Sequence, residues 1–176
     1  SNLGQVEQIK FEVKNNKIFI ATSNNETYIN GMDSTDFPDL PQPESEGYIK
    51  LNATELKDAL TKTVFVASRD ETRPVLNGCL FRFENQELNI VATDGYRLAQ
   101  KTIKTNSNLS LDIIIPSSAI QELIKAISAL EDVLDIKLSF DDNSIKFNLG
   151  DVEIISKTID GKYPDYKQII PSEFSV

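Results

Sequence analysis

With 176 residues, 40% of them hydrophobic, the chain has material for one ordinary domain and a piece of another. Its net charge of −9 excludes a protein that grips nucleic acid by blanket neutralisation of phosphates, which needs a surplus of lysine and arginine. The single Cys79 rules out an internal disulfide, no apolar run approaches the ~18 residues of a membrane helix, and no basic-then-apolar signal opens the chain, so a cytoplasmic protein with no membrane partner is expected.

Ser1-Asn2 reads as an expression remnant, and Gln5-Val6-Glu7-Gln8-Ile9-Lys10-Phe11 enters at once as an alternating strand, so an excised fragment of a larger protein is expected. Val6 to Val13, Ile18 to Thr22 and Thr27 to Met32 alternate as short strands, with turn signals at Asn15-Asn16 and Asn24-Asn25. Pro38, Pro41 and Pro43 remove backbone donors from a stretch without apolar periodicity, marking a boundary near residues 37–47. Tyr48 to Leu51 is a brief strand. Asn52 with Glu55 three residues on resembles a capping box and predicts a helix to about Ala67, whose apolar face is Leu56, Ala59, Leu60, Thr63, Val64 and Ala67. Val75 to Phe83, Leu88 to Thr93 and Arg97 to Ile103 follow as strands, turning at Glu84-Asn85-Gln86-Glu87 and at Asp94-Gly95.

The order then recurs. Leu111 to Ile115 is a strand, and Ser118 with Gln121 opens a helix to about Leu130 with an Ile120, Leu123, Ile124, Ile127, Leu130 stripe. Ile136 to Phe140, Ile145 to Leu149 and Val152 to Thr158 supply the closing strands, so residues 48–160 contain one βαβββ unit twice. A longer repeat sets Asn16 to Ile20 and Asp36 to Leu40 against Asn143 to Phe147 and Gly161 to Tyr166, with Phe37 and Tyr163 standing 126 residues apart. That period suits whole domains in an array, with residues 1–40 as the tail of a preceding copy.

The absence of histidine removes His-based triads and the commonest zinc ligand, and the scattered glycines form neither the Walker nor the dinucleotide pattern, so no cofactor is expected. Asp94 is the one carboxylate to weigh as a general base or half of an aspartic pair, but Thr93-Asp94-Gly95 reverses the aspartic-protease order and reads as a turn between strands. Asp141-Asp142-Asn143-Ser144 lacks the spacing of a calcium loop and reads as a hairpin turn. Two constellations remain. Leu76, the Thr93 to Leu98 stretch, and Pro164 with Ile169 would, if brought together, line a shallow apolar groove with Arg97 on its rim, suited to an extended peptide; core packing accounts for Leu76 and Leu98 equally well. Lys57, Lys62 and Lys125 lie on the polar faces of the two helices, with Arg69 and Arg73 in the loop after the first. These are either ordinary solvated charges or a lining aligned along a duplex.

Three motifs carry a family resemblance: Arg73-Pro74-Val75-Leu76-Asn77-Gly78, Val91-Ala92-Thr93-Asp94-Gly95-Tyr96-Arg97-Leu98-Ala99, and Asp160-Gly161-Lys162-Tyr163-Pro164-Asp165-Tyr166 running into Ile169-Ile170-Pro171. The chain resembles the bacterial DNA sliding clamp, the beta subunit of DNA polymerase III. The resemblance implies an α+β fold of the DNA-clamp (processivity) type, two βαβββ units with antiparallel sheets and two helices on one face. It implies the end of a first domain over 1–40, a linker over 41–47, a central domain over 48–165 and the start of a further linker over 166–176.

In that family two chains join head to tail into a ring around duplex DNA. The resemblance places Lys57, Lys62, Arg69, Arg73 and Lys125 facing DNA, in a non-catalytic replication factor. It also implies a partner-peptide pocket of Leu76, Thr93, Gly95, Tyr96, Arg97, Leu98, Pro164, Gln168 and Ile169, serving the polymerase III alpha subunit, the clamp loader and repair proteins. Tyr96 stands where histidine is familiar and Gln168 where some relatives carry arginine, which changes the pocket's polar rim and leaves its apolar floor. A fragment of this extent is expected to be monomeric, with weakened or absent peptide binding and no ability to retain DNA. The other readings of the residues are a generic α+β interaction module and a hydrolase built on Asp94.

Overall fold

The computed structural model describes residues 8–37, 43, 47–130, 133–168 and 170. The chain divides into two compact units, Ser1–Leu40 and Pro41–Val176.

The first unit is an antiparallel meander of β1 (Lys10–Lys14), β2 (Lys17–Ala21) and β3 (Glu26–Asn30), in that spatial order. Asn15 and Asn16 turn the first hairpin with φ of 51° and 55°, the left-handed pair that a two-residue hairpin needs and that asparagine tolerates. Phe11 opposite Ile20 and Val13 opposite Ile18 put the apolar side chains on one face of the sheet.

The second unit runs β4 (Ile49–Asn52), α1 (Ala53–Thr61), β5 (Gly78–Glu84), β6 (Glu87–Thr93), β7 (Leu98–Lys104), β8 (Leu111–Pro116), α2 (Ser117–Ala129), β9 (Asp135–Phe140), β10 (Ser144–Asn148) and β11 (Glu153–Lys157). The two βαβββ units are present, but they exchange their first strands. One antiparallel sheet has the order β11-β10-β9-β4 and the other β7-β6-β5-β8, so β4 completes the meander of the second unit and β8 that of the first. The exchange is seen directly in the pairs Ile49↔Leu138 and Leu80↔Ile114.

α1 and α2 touch each other, and each also packs on strands of both sheets, α1 on β4 and β7, α2 on β5, β8 and β11. Leu56, Ala59 and Leu60 of α1 and Ile120, Leu123 and Ile127 of α2 are buried with Phe81, Phe83, Ile90, Ile136, Leu138, Ile145 and Phe147 from the strands, forming one core between helices and sheets. The two helices therefore lie side by side, with their polar faces turned out on the same side of the unit.

Several boundaries differ from those read in the sequence. α1 starts as expected, with Asn52 Oδ1 accepting from the Glu55 N–H at 3.0 Å, but it stops at Thr61 instead of Ala67. The buried Thr63 hydroxyl donates to the Ala59 carbonyl at 2.9 Å, and Val64–Val66 tightens into a 3₁₀ turn. Pro74–Asn77 is also a 3₁₀ turn, not the start of β5, because proline lacks the N–H a ladder needs and sits comfortably in a first helical turn. α2 begins at Ser117 directly out of β8, with Pro116 in the capping position and no side-chain cap, so Ser118 is not its N-cap.

Candidate functional site

β5 reads as a nearly continuous apolar run because it is buried on both faces. Cys79, Phe81 and Phe83 point into the main core. Leu80 points outward and joins Val91, Ile114, Tyr163 and Tyr166 in a second cluster, against which Val75, Leu98 and Ile159 pack. The outer face of the β7-β6-β5-β8 sheet is thus roofed by the segment that follows β11. Four contacts fasten that roof. The Ile159 N–H donates to the Ile114 carbonyl at 2.8 Å; the Thr93 N–H donates to the buried Tyr163 hydroxyl at 3.1 Å; Lys167 Nζ reaches Glu84 at 2.9 Å; and the Arg82 guanidinium, forked on Asp112 at 2.8 and 2.6 Å, lies 5.3 Å over the Tyr166 ring. Burial pushes the Tyr163 hydroxyl well above the usual phenol range, so it stays a neutral hydrogen-bonding group. Gly161, at φ +133° and with the Val75 Cγ2 only 2.8 Å from where a Cβ would stand, lets the roof approach this closely.

The turn from β6 to β7 is locked by its own side chains. Asp94 Oδ1 accepts from the N–H groups of Tyr96 at 2.9 Å and Arg97 at 2.8 Å, and Oδ2 takes the Arg97 guanidinium at 3.0 and 2.9 Å. The Thr93 hydroxyl donates to the Arg97 carbonyl at 2.7 Å and accepts from Gly95 N–H at 3.1 Å. Gly95 supplies the positive φ of +92°. This closed ring of bonds turns the Tyr96 side chain outward, leaving it 96% exposed. The two backbone N–H donors, followed by the Arg97 side chain, hold the Asp94 carboxyl down at about 2. A general base working near neutrality needs a far higher value, so Asp94 is built as an anchor for the turn.

The sign of that shift sets a pH dependence. A carboxylate whose folded value lies below the ordinary 3.8 contributes stability that is complete above that value and is lost as pH falls through about 2. The unfolding midpoint of the unmodified chain should therefore exceed that of Asp94→Asn by a constant margin from neutrality down to about pH 5. The margin should close as pH falls through 3.8 toward about 2. Thermal melts at stepped pH measure it, and a margin that persists unchanged at the acid end would remove the anchoring role.

Of the residues read as a peptide groove, Thr93 and Leu98 meet the C-terminal roof directly, Thr93 through Tyr163 and Leu98 within the outer cluster. Leu76 is buried in its 3₁₀ turn and does not join the outer cluster, with which its neighbour Val75 makes the contact. Pro164 and Gln168 are exposed on the roof, with Gln168 Nε2 donating to Asp165 at 2.8 Å. Ile169 lies outside the described residues. Tyr96 and Arg97 do not stand apart from the basic loop. They share one open basin of about 560 Å³ with Phe65, Arg69, Asp70, Arg73 and Asp94. Tyr163, Tyr166 and the 65%-exposed Phe65 were not among the residues picked from sequence, although Tyr163 immediately precedes Pro164 in the third motif.

On the helices, Lys62 caps the end of α1, and its Nζ lies 2.6 Å from Asp58. Lys101 of β7 approaches the same carboxylate at 3.8 Å, adding a cation that the sequence reading missed. The lysines draw the Asp58 carboxyl below its usual range, Lys62 more than Lys101. Lys125 pairs with Glu122 at 2.7 Å on α2. Lys57 makes no ion pair among the described residues.

A family model described as DNA polymerase III beta subunit, central domain, matches residues 50–165. The beta sliding clamp of Bacillus subtilis (strain 168) is 32% identical over 94% of this chain and 44% of its own length. That of Staphylococcus aureus (strain Mu50) is 34% identical over 89% of this chain and 41% of its own. The crystal structure of the Bacillus subtilis DNA polymerase sliding clamp superposes with a TM-score of 0.83 at 32% identity, covering 94% of this chain and 44% of that one. The chain thus spans less than half the length of these relatives. The paired helices and the locked turn lie within the matched stretch, which also takes in the exchanged strands except Ile49 and the roof as far as Asp165, and the chain belongs to the DNA polymerase III beta subunit family, with residues 50–165 matching its central domain.

Proposed function

We propose that this chain is part of a DNA sliding clamp, a replication processivity factor that works by enclosing duplex DNA and recruiting partners, with no covalent step of its own. The observation that carries the reading is the side-by-side placement of α1 and α2 against two antiparallel sheets, with Lys62 and Lys125 exposed on them and Lys57 half-buried. Contacts of this kind are weak, screened by salt and blind to sequence, which is what sliding requires. Arg69 and Arg73 extend the basic surface beyond the helices. Enclosure by topology tolerates a net charge of −9, because affinity need not hold the ring in place.

The partly exposed Val75 and Leu98 at the margin of the outer cluster, with the locked β6–β7 turn, form the floor and rim of a groove for an extended partner peptide. The partners proposed are the polymerase III alpha subunit, the clamp loader and repair proteins, each presenting an aliphatic and an aromatic anchor. The whole protein is proposed to be a head-to-tail homodimer working in the cytoplasm, and the 176-residue chain a monomer. Residues 1–40 serve as the end of a first domain, 41–47 as a linker, and 166–176 lead toward a further domain.

A labelled peptide with a Gln-aliphatic-aromatic anchor, titrated into the full-length protein by fluorescence anisotropy, tests this. Leu98→Ala is expected to weaken binding roughly tenfold, because it strips part of the apolar floor. A generic interaction module predicts no binding, or binding indifferent to position 98, and either result would displace the clamp reading.

A further inference from the structure

Both helices pair a surface lysine with a carboxylate one turn earlier on the same face. In α1, Asp58 lies 2.6 Å from Lys62 and 3.8 Å from Lys101, which reaches across from β7. In α2, Glu122 lies 2.7 Å from Lys125. The spacing differs, i,i+4 in one helix and i,i+3 in the other, yet each pseudo-equivalent helix arrives at the same juxtaposition. We infer that Asp58 and Glu122 are internal counter-ions of the helix face, occupying its lysines and so limiting how tightly that face holds a duplex. The inference rests on the proposed DNA-facing role of the helices.

A free lysine that neutralises a phosphate releases condensed counter-ions, and that release drives non-specific binding. A lysine already paired with a tethered carboxylate has less to gain, since the phosphate must first displace an acid held at high effective concentration. The pairs are exposed, with side-chain accessibilities of 60% and 44% for Lys62 and Asp58 and 69% and 64% for Lys125 and Glu122. Exposed pairs contribute little to folding. A purely structural role, as helix-supporting ion pairs, would make their loss visible in stability and not in DNA affinity.

The test uses the 176-residue chain and a short fluorescein-labelled duplex, read by anisotropy at about 50 mM and about 200 mM salt. Asp58→Asn combined with Glu122→Gln is expected to bind about tenfold tighter at the lower salt, with a log–log salt slope steeper by about one to two. Asp142→Asn combined with Asp151→Asn, at the exposed β9–β10 and β10–β11 turns, removes the same two charges away from the helices and should shift affinity less than about twofold if local pairing is the cause. Far-UV melts should show both sets folded, with midpoints close to that of the unmodified chain.

A helix double variant no tighter than the Asp142→Asn, Asp151→Asn pair overturns the counter-ion role. Should Lys57→Ala, Lys62→Ala and Lys125→Ala weaken binding while the acid variants fail to tighten it, the DNA-facing reading survives and only this inference falls. Indifference to all the lysine variants, or no binding by either the unmodified chain or the double variant at the lower salt, removes both.

Discussion

Phe147→Ala is expected to cost the second unit about 3–5 kcal/mol of stability. Phe147 is fully buried on β10. Its ring meets Phe81 of β5 edge-on, with centroids 6.5 Å apart, joining side chains of the two sheets beneath the helices. β10 is hydrogen-bonded on both sides, to β9 and β11. Strands pinned in this way cannot close up around the lost ring, so truncation leaves a cavity as well as forfeiting the transfer energy of the ring. Urea unfolding followed by far-UV circular dichroism measures the loss. Phe147→Leu, which keeps most of the volume, should recover more than half of it. A midpoint for Phe147→Ala close to that of the unmodified chain would mean that the two sheets do not share one core.

Gly78→Ala is expected to destabilise the same unit by about 1–3 kcal/mol, although alanine ordinarily gains on glycine in an extended strand. Gly78 opens β5 with φ −113° and ψ 169°, a conformation any residue adopts, so the penalty is steric. A Cβ there would stand 2.7 Å from Ile114 Cγ2, 2.8 Å from the Ile115 carbonyl oxygen and 2.9 Å from Ile159 Cδ1. The two isoleucine methyl groups have some freedom to turn, but the carbonyl belongs to the paired strand β8 and moves only with the ladder. Because Ile159 begins the roof over the outer cluster, the strain should also loosen the peptide groove. The same urea titration reads the stability loss, and faster hydrogen exchange at the Ile159 amide, which donates to Ile114 at 2.8 Å, reports the loosened roof. An equal or higher midpoint would show that the β5–β8 edge has slack where the geometry gives none.

Much of the fold was legible in residues alone. The alternation of Leu88, Ile90 and Ala92 against Glu87, Asn89 and Val91 marks a strand and its inward face. The Leu56, Ala59, Leu60 and Ile120, Leu123, Ile127 stripes mark two helices, and the turn signals at Asn15-Asn16 and Asp94-Gly95 fall where the chain reverses. Local physics suffices for these, since periodicity and turn chemistry act over a few residues. The helix end at Thr61 was not legible, because Thr63, Val64 and Ala67 continue the apolar period, whereas in the structure the Thr63 hydroxyl takes the Ala59 carbonyl and its N–H turns to Leu60.

The site divides along the same line. Thr93, Asp94, Gly95 and Arg97 bond to one another within five residues, so their motif spoke for itself. The meeting of Thr93 with Tyr163, the roofing of Leu80 and Val91, and the common basin of Arg69, Arg73, Tyr96 and Arg97 join residues far apart in the chain. The exchange of β4 and β8 between the two repeats belongs with them. The amino-acid order determined which side chains face a core, where the chain turns and that one motif occurs twice. Only the tertiary structure decided which strand pairs with which, since any strand edge offers the same backbone donors and acceptors and the choice falls to the packing of α1 and α2 across both sheets.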